Sequence, residues 1–210
     1  MTLTDMTVKV FTETLASESP APGGGSSSAL SGALGAALVA MVCRLTAGRP
    51  KYAEHQALAK DMLPKADELT RKLLDAVQRD TDAFEEVMAA FGMPKETESQ
   101  KAQRGAAIQS AYKAAVASPT AMADYCLSVM RLAESLMGKS NSNAASDLAV
   151  GALQAHAGFK GAVANIRINL PFLKDADYTA EKKAWLVRSE KEAGELIRSV
   201  ESGMARLLAP

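Results

Sequence analysis

The chain has 210 residues, which suits one domain or two small ones, and 48% of them are apolar although only 5% are aromatic. Alanine, leucine, valine and methionine must therefore fill the core. Lysine and arginine together number 24, as do aspartate and glutamate, and this balance argues against a nucleic-acid binder and against a protein that binds anionic membranes.

The first residues lack the basic start and the apolar run of a signal peptide. Cys43 and Cys126 lie in apolar helical patterns and are too few for a disulfide framework, so we predict buried thiols in a cytoplasmic protein. The apolar run Ala29–Cys43 is short and rich in alanine and glycine, which predicts a buried helix and no membrane partner.

A first helix is predicted over about 4–16, and a glycine-rich segment follows it. Residues 22–28 read Pro-Gly-Gly-Gly-Ser-Ser-Ser and lead into a predicted helix of small residues over about 26–46. Such a helix lets neighbouring backbones approach closely, and its N-terminus suits an anion or a polar ligand. The alternative is a mobile loop with a serine cap. The candidate ligand-binding residues here are Gly23, Gly24, Gly25 and Ser26.

The rest of the chain is helical in pattern nearly throughout, with no alternation typical of an α/β fold. We predict a long helix ending near residue 91 and kinked near Pro64, because proline interrupts helical hydrogen bonding. Further helices are predicted over about 98–116, 119–137, 144–164 and 179–208, with an extended or irregular segment at 165–170. The sequence therefore predicts one all-α domain over residues 1–210, a bundle of seven or eight helices.

Asp80 is an acidic residue in an apolar stripe of the long helix. The stripe has helical spacing and comprises Leu69, Leu73, Val77, Phe84, Val87 and Phe91. A carboxylate on a core-facing side is costly unless it is paired or hydrogen-bonded. Asp80 is therefore a candidate catalytic or ligand-binding group in a cleft. The alternative is a position at the rim of the core, with a cation such as Arg79 as partner.

Two further polar groups stand out. Asp147 falls in the first turn of a predicted helix, where the helix dipole favours its charge, and Asn141 and Asn143 precede it. Ordinary stabilisation of a helix start explains Asp147 equally well. In Asn165-Ile-Arg-Ile-Asn169 an extended backbone would place Asn165, Arg167 and Asn169 on one face, able to bind a heteroaromatic ring or a carboxylate. Loop amides that satisfy backbone groups are the alternative.

Six segments in order carry a family resemblance. They are Pro22–Ser26 with its alanine-rich helix, Lys51-Tyr52, Asp80–Phe84, Met93–Lys95, Asn141–Asp147 and Asn165–Leu170. The chain resembles the formiminotransferase-cyclodeaminase C-terminal domain family over about residues 5–205. That family includes free-standing methenyltetrahydrofolate cyclohydrolases, and the chain lacks a neighbouring formiminotransferase domain.

The resemblance implies an all-helical homodimer that acts on one-carbon units carried by tetrahydrofolate. Two reactions fit: hydrolysis of 5,10-methenyltetrahydrofolate to the 10-formyl compound, or cyclodeamination of the 5-formimino compound with release of ammonia. Both pass through a tetrahedral carbon and need proton transfers, and neither needs a metal or a cofactor beyond the folate. We favour the cyclohydrolase; a non-catalytic helical oligomerisation module is the competing class.

On this resemblance the expected roles are as follows. Asp147 is the expected acid/base group, and Asp80 shares that role or binds the pterin. The remaining candidate substrate-binding residues are Gly23, Gly24, Gly25, Ser26, Lys51, Lys95, Asn141, Asn143, Asn165, Arg167 and Asn169, with no metal ligands. The three cations among them are candidates for the glutamate tail of the folate.

Overall fold

A computed structural model describes residues 2–208, and within that range it contains helices and no strand. The helices are α1 (Val8–Leu15), α2 (Gly24–Ala47), α3 (Gln56–Gly92), α4 (Glu98–Leu136), α5 (Ala145–Asn169) and α6 (Ala176–Leu208). Short 3₁₀ turns cover Leu3–Asp5, Pro50–His55, Ser142–Ala144 and Leu170–Phe172. The all-α prediction is confirmed.

The predicted helix count was slightly too high, because two prolines do not end their helices. Pro64 lies inside α3 and Pro119 inside α4, so the segments predicted as separate helices on either side of Pro119 form one helix of 39 residues. Pro119 is buried, as is Ala66 two residues after Pro64, and tertiary packing outweighs the local cost of a missing hydrogen bond.

The centre of the bundle is α2, which packs between α3 and α5, while α4 closes the group and α6 lies against α4 and α5. Helix α2 and helix α5 run antiparallel in close contact. At Gly35 a Cβ atom would press against the backbone of Gly151 and Ala155, so this approach requires glycine. The small residues of α2 thus act as predicted, by letting two helix backbones meet.

The apolar character of α2 reflects this central position. Its 24 residues include a window of mean hydropathy 1.7, so by length and composition α2 could cross a membrane, contrary to the estimate from the shorter run Ala29–Cys43. More than half of that window is buried by neighbouring helices, as in the core helix of a soluble bundle. Cys43 and Cys126 are both buried free thiols, as predicted.

The segment predicted to be extended, residues 165–170, is instead the last turn of α5 followed by a 3₁₀ turn. The alternation of isoleucines with polar residues misled the assignment, because Ile166 is fully buried whereas Ile168 is 68% exposed. In a helix, residues four apart share a face, so Asn165 and Asn169 lie together and Arg167 points elsewhere.

Candidate active site

A cavity of about 420 Å³ opens where the N-terminus of α2 meets α3, α4 and the C-terminal end of α5. One end is polar and the rest is largely apolar. The polar lining consists of Gly23, Gly24, Gly25, Asp80, Thr81, Ser118, Asn165 and Asn169. The apolar lining includes Phe84, Val87, Met88, Phe91, Tyr112 and Ile168. Four segments that are distant in sequence therefore contribute to one site.

Asp80 caps helix α2 from the neighbouring helix. Its Oδ2 accepts a hydrogen bond from the backbone N–H of Ser26 at 3.0 Å, and the Ser26 hydroxyl lies 3.4 Å from the same oxygen. That hydroxyl donates at 2.9 Å to the carbonyl of Val77, so it is held mainly by the backbone of α3. Asp80 thus satisfies one of the unpaired N–H groups at the start of α2.

Burial raises the pKa of the Asp80 carboxyl above its ordinary value, and the hydrogen bonds from Ser26 oppose that effect without cancelling it. Asp80 is only partly buried, and it lines the cavity. A carboxyl with a raised pKa in a cleft is typical of a group that transfers protons. The prediction of a cleft carboxylate at residue 80 agrees with this geometry.

The glycine run has a specific function at Gly25. A Cβ atom on this residue would overlap the Asp80 carboxylate, so only glycine lets the carboxylate reach the Ser26 amide. At Gly23 and Gly24 a Cβ atom would meet nothing within 4 Å. The three glycines are therefore not equivalent, and the close approach predicted for the run depends on the third.

Asn165 and Asn169 direct amide groups towards the same cavity. The Asn165 Nδ2 donates to the carbonyl of Gly161 at 3.1 Å, and the Asn169 Nδ2 donates to the carbonyls of Ala115 and Asn165 at 3.2 and 3.0 Å. The amide nitrogens are thus used within the fold. Neither Oδ1 atom is used in these bonds, and both residues line the cavity together with Asp80.

Arg167 does not belong to this group. Its Nη2 donates to Glu190 of α6 at 2.7 Å, and its side chain is exposed on another face of α5. The prediction of a shared face for Asn165, Arg167 and Asn169 depended on an extended backbone and is wrong for that reason. The helical spacing keeps the two asparagines together and removes the arginine.

Lys95 is exposed in the loop between α3 and α4, and the remaining predicted residues lie at the far end of the α2–α5 pair. Asp147 is in the first turn of α5, and Asn165 lies eighteen residues further on, about 27 Å away at the α-helical rise. Asn143 is exposed in the preceding 3₁₀ turn, and Lys51 is exposed near the end of α2. Within one chain the structure does not bring Asp147 and Asp80 into one site.

Asn141 is occupied by the fold itself. Its Oδ1 accepts hydrogen bonds from the Tyr52 hydroxyl at 2.8 Å and from the Asn143 N–H at 3.0 Å, while its Nδ2 donates to the Leu45 carbonyl at 3.3 Å. Its own N–H donates to the Thr46 hydroxyl at 3.0 Å. Asn141 therefore joins the end of α2 to the turn before α5, and its side chain offers little to a ligand.

The sequence analysis missed the aromatic wall of the cavity. Phe84 and Phe91 were assigned to the core stripe with Asp80, yet each is 44% exposed and faces the cavity. Tyr112 meets Phe91 edge to face, with 6.2 Å between ring centroids, and stacks on Phe172 at 4.8 Å. The presence of Asp80 in the stripe was the available signal, because a carboxylate marks where an apolar face leaves the core.

Taken together, the fold and the cavity define a helical protein with a carboxylate and amide oxygens at the end of an aromatic slot. The model of the formiminotransferase-cyclodeaminase family matches residues 7–187. The chain belongs to this family.

Two curated relatives and one solved structure place it more closely. The chain is 43% identical to a methenyltetrahydrofolate cyclohydrolase of Methylorubrum extorquens over 90% of this chain and 91% of that protein. It is 34% identical to a formimidoyltransferase-cyclodeaminase of Dictyostelium discoideum, of which it spans only 36%. It is similar to the crystal structure of a formiminotetrahydrofolate cyclodeaminase from Thermotoga maritima, with TM-score 0.87, 26% identity and coverage of 99% and 100% of the two chains.

Proposed function

We propose that this protein is a methenyltetrahydrofolate cyclohydrolase, an enzyme of tetrahydrofolate one-carbon metabolism that hydrolyses 5,10-methenyltetrahydrofolate to 10-formyltetrahydrofolate. The observation that carries the proposal is the 43% identity to a cyclohydrolase across nine-tenths of both chains. The cavity beside Asp80 supports it independently, because it joins a carboxyl of raised pKa to a slot of flat aromatic side chains.

The polar end of the cavity suits the pterin ring of the substrate. A pterin carries N–H and NH₂ donors along one edge, and the Oδ1 atoms of Asn165 and Asn169 are acceptors left over from the fold. Phe84 and Phe91 offer flat apolar surfaces to the pterin and to the benzoyl ring. The glycine backbone at Gly23 and Gly24 leaves room beside the ring.

Asp80 is the acid/base group in this proposal. Water adds to the electrophilic methenyl carbon between N5 and N10, and Asp80 accepts the proton that the water loses. The carbon becomes tetrahedral; the bond to N5 then breaks as N5 is protonated by Asp80, leaving the formyl group on N10. Because Asp80 has given its proton to N5, it is ionised again, and the carbinol O–H loses its own proton to solvent as it becomes the formyl carbonyl. Ionised Asp80 also stabilises the cationic C–N system electrostatically.

The test is to offer purified protein both candidate substrates. We expect loss of the methenyl absorbance with formation of 10-formyltetrahydrofolate, and no ammonia from 5-formiminotetrahydrofolate. Ammonia release at a comparable rate would instead identify a cyclodeaminase. This second candidate is favoured by the Thermotoga maritima structure, which bears that name and matches the full length of this chain.

A non-catalytic module is separated from both enzymes by binding. Thermal-shift titration with reduced folates should raise the melting temperature, because a ligand that binds only the folded state stabilises it. Absence of any shift at ligand concentrations far above a plausible Kd would overturn the enzyme proposal.

The reaction as written uses no cofactor beyond the folate. The buried free thiols Cys43 and Cys126 support a reducing, cytoplasmic location.

A homodimer is part of the proposal, and an apolar face of α2 and α5 supports it. Leu34 of α2 is 50% exposed, and Val150 and Leu153 of α5 are each 46% exposed. These residues form one patch, because Gly35 packs directly against Gly151 and Ala155. Contiguous apolar patches of this kind mark association surfaces, and a second copy of the chain is the occupant we propose.

The dimer would resolve the separation of the two polar clusters. The patch lies between the two clusters along the helices. Ser26 is near the start of α2 on one side of the patch, and Asp147 is near the start of α5 on the other side. A two-fold axis that lies in this face and runs across α2 and α5 reverses the direction of both helices. Asp147 and Asn143 of the second copy would then approach the mouth of the cavity that contains Asp80.

Complementation between inactive variants tests this arrangement. Asp80→Asn and Asp147→Asn are purified separately, mixed under conditions of subunit exchange, and assayed. If each site uses Asp80 from one copy and Asp147 from the other, mixed dimers contain one intact site and the mixture regains about a quarter of wild-type activity. No recovery, with exchange demonstrated by a tagged subunit, would contradict a shared site.

A substitution in the patch tests the dimer directly. Leu34→Glu should give a monomer, measured by light scattering, and its activity should be strongly reduced.

A further inference from the structure

The two ends of the cavity differ in chemical character. Along α3 its lining runs from Asp80 through Phe84 and Met88 to Phe91, about 16 Å at the helical rise. The Asp80 end is polar and the Phe91 end is aromatic. A ligand that fills the cavity therefore has a polar head at one end and, past an aromatic middle, a second end that emerges at Phe91.

A cation lies at the Phe91 end. Arg104 of α4 is half-buried, and its guanidinium carbon lies 5.5 Å from the centroid of the Phe91 ring. Its Nε and Nη2 donate to the Phe91 carbonyl at 3.3 and 3.1 Å. These two bonds fix the orientation of the guanidinium at the end of α3.

The charge of Arg104 is not matched by a carboxylate within the part of the chain that the structure describes. Two other cations of α4 have acidic partners: Lys113 lies 3.1 Å from Asp175, and Lys101 lies 2.7 Å from Glu98. Nη1 of Arg104 takes no part in the bonds to Phe91. A fixed, partly buried guanidinium with a free edge suits a carboxylate of a ligand.

We propose that Arg104 binds the carboxylate of the substrate's glutamate tail. This rests on the proposed function, since it takes a reduced folate as the ligand. The pterin then lies at Asp80, the benzoyl ring lies along Phe84 and Phe91, and the glutamate leaves the cavity beside Arg104. The role differs from the one predicted for Arg167, whose charge is satisfied by Glu190.

Capping of α3 is the competing explanation for Arg104, because its two bonds satisfy a carbonyl at a helix C-terminus. The two roles predict different ligand dependence. A cap acts on the fold and affects every ligand equally. A tail-binding residue acts only on ligands that carry the tail.

The test measures the Kd values of 5-formyltetrahydrofolate and of a pteroate reference, the primary amide of 5-formyltetrahydropteroic acid, which lacks the glutamate and carries no carboxylate of its own. Arg104→Gln keeps an N–H donor for the Phe91 carbonyl and removes the charge, whereas Arg104→Lys keeps the charge. Lys101→Gln is the matched control, since it removes a cation from the same helix that Glu98 already pairs. Melting temperatures report any loss of the cap.

We expect wild-type protein to bind the folate about tenfold more tightly than the pteroate, as for one charge-assisted contact. Arg104→Gln should lose this preference without changing the Kd of the pteroate. Arg104→Lys should retain part of it, and Lys101→Gln all of it. Equal loss for both ligands, or an unchanged preference, would overturn the assignment. Wild-type protein that binds the two equally refutes the tail contact alone, whereas failure to bind either refutes the folate-enzyme proposal as well.

Discussion

Both ends of the α2–α5 pair contain asparagines, but the hydrogen bonds of their side chains differ. At the Asp80 end, the amide nitrogens of Asn165 and Asn169 bind backbone carbonyls, while their oxygens lie beside a cavity. At the opposite end, both polar atoms of the Asn141 side chain are used within the fold. Its oxygen accepts hydrogen bonds from Tyr52 and Asn143, and its nitrogen donates one to Leu45. One end keeps acceptors for a ligand, and the other uses its amide to hold elements together.

The difference shows that an asparagine at a conspicuous sequence position is not evidence of a site until its bonds are counted. It also separates the two aspartates. Asp80 has a raised pKa and borders an enclosed slot, whereas Asp147 begins a helix near the surface of its own chain. Asp80 therefore replaces Asp147 as the proposed acid/base group, and Asp147 acts in this proposal only from the second copy.

The largest expected effect follows from Asp80→Asn. The amide keeps an oxygen to accept from the Ser26 N–H, so the fold should survive, but it cannot accept a proton from water. We expect kcat to fall by about 10²- to 10⁴-fold with little change in the Kd of a reduced folate. Stopped-flow decay of the methenyl absorbance and equilibrium binding measure the two quantities separately.

Asp82→Asn is the matched control for this variant. Asp82 lies on the exposed side of the same helix, where it accepts a hydrogen bond from Gln78 at 2.9 Å. Its loss should leave kcat within about twofold of wild type, as for surface substitutions away from a site. A normal kcat with greatly weakened binding in Asp80→Asn would make Asp80 a pterin anchor, and normal values of both would remove it from the site.

The fold followed from the sequence because helical periodicity is local and the chain contains little else. The errors arose where tertiary packing overrode a local signal. Pro119 did not break α4, and the alternation around Ile166 and Ile168 did not make a strand. In both places the burial of one helix face outweighs the local tendency of the segment to leave the helical conformation. That burial depends on neighbouring helices, so the sequence of the segment alone does not show it.

The site was predicted in part. Asp80 was singled out as a polar residue on an apolar helix face, whereas Asn165 and Asn169 were singled out on an extended backbone that the structure does not have; all three line the cavity. It could not identify the aromatic wall, since whether Phe91 faces the core or a cavity depends on where α4 and α5 end against α3. Nor could it tell that Asn141 is used by the fold, because its partner Tyr52 is 89 residues distant in sequence.

A smaller effect separates two adjacent glycines. Gly25→Ala forces a methyl group against the Asp80 carboxylate, which should displace the carboxylate, reduce kcat about tenfold and cost about 1–3 kcal/mol of folding stability. Gly24→Ala meets open space and gains helix propensity, so it should match or exceed wild-type stability and keep kcat, with only KM raised because the methyl group enters the cavity. Thermal unfolding and steady-state kinetics of the pair measure this difference. Equal behaviour of the two variants would contradict a close approach at Gly25.

The smallest expected effect concerns the pH dependence of kcat/KM. As a general base, Asp80 must be ionised, so kcat/KM should fall as the pH drops through the raised pKa of Asp80, above the range of an ordinary aspartate. The hydrogen bonds from Ser26 lower that pKa, so Ser26→Ala should move the acid limb to higher pH, although the bond from the Ser26 backbone N–H remains.

Folding stability should change with pH in the opposite direction to kcat/KM. Because the pKa of Asp80 is raised in the folded state, its contribution to the free energy of unfolding is greatest below the unfolded pKa and is lost as the pH rises through the folded pKa.

Ser27→Ala is the matched control for Ser26→Ala. It also deletes a hydroxyl, but the bonds to Val77 and Asp80 belong to Ser26. An acid limb that Ser26→Ala leaves in place, or one that Asp80→Asn retains, would assign the titration to a different group.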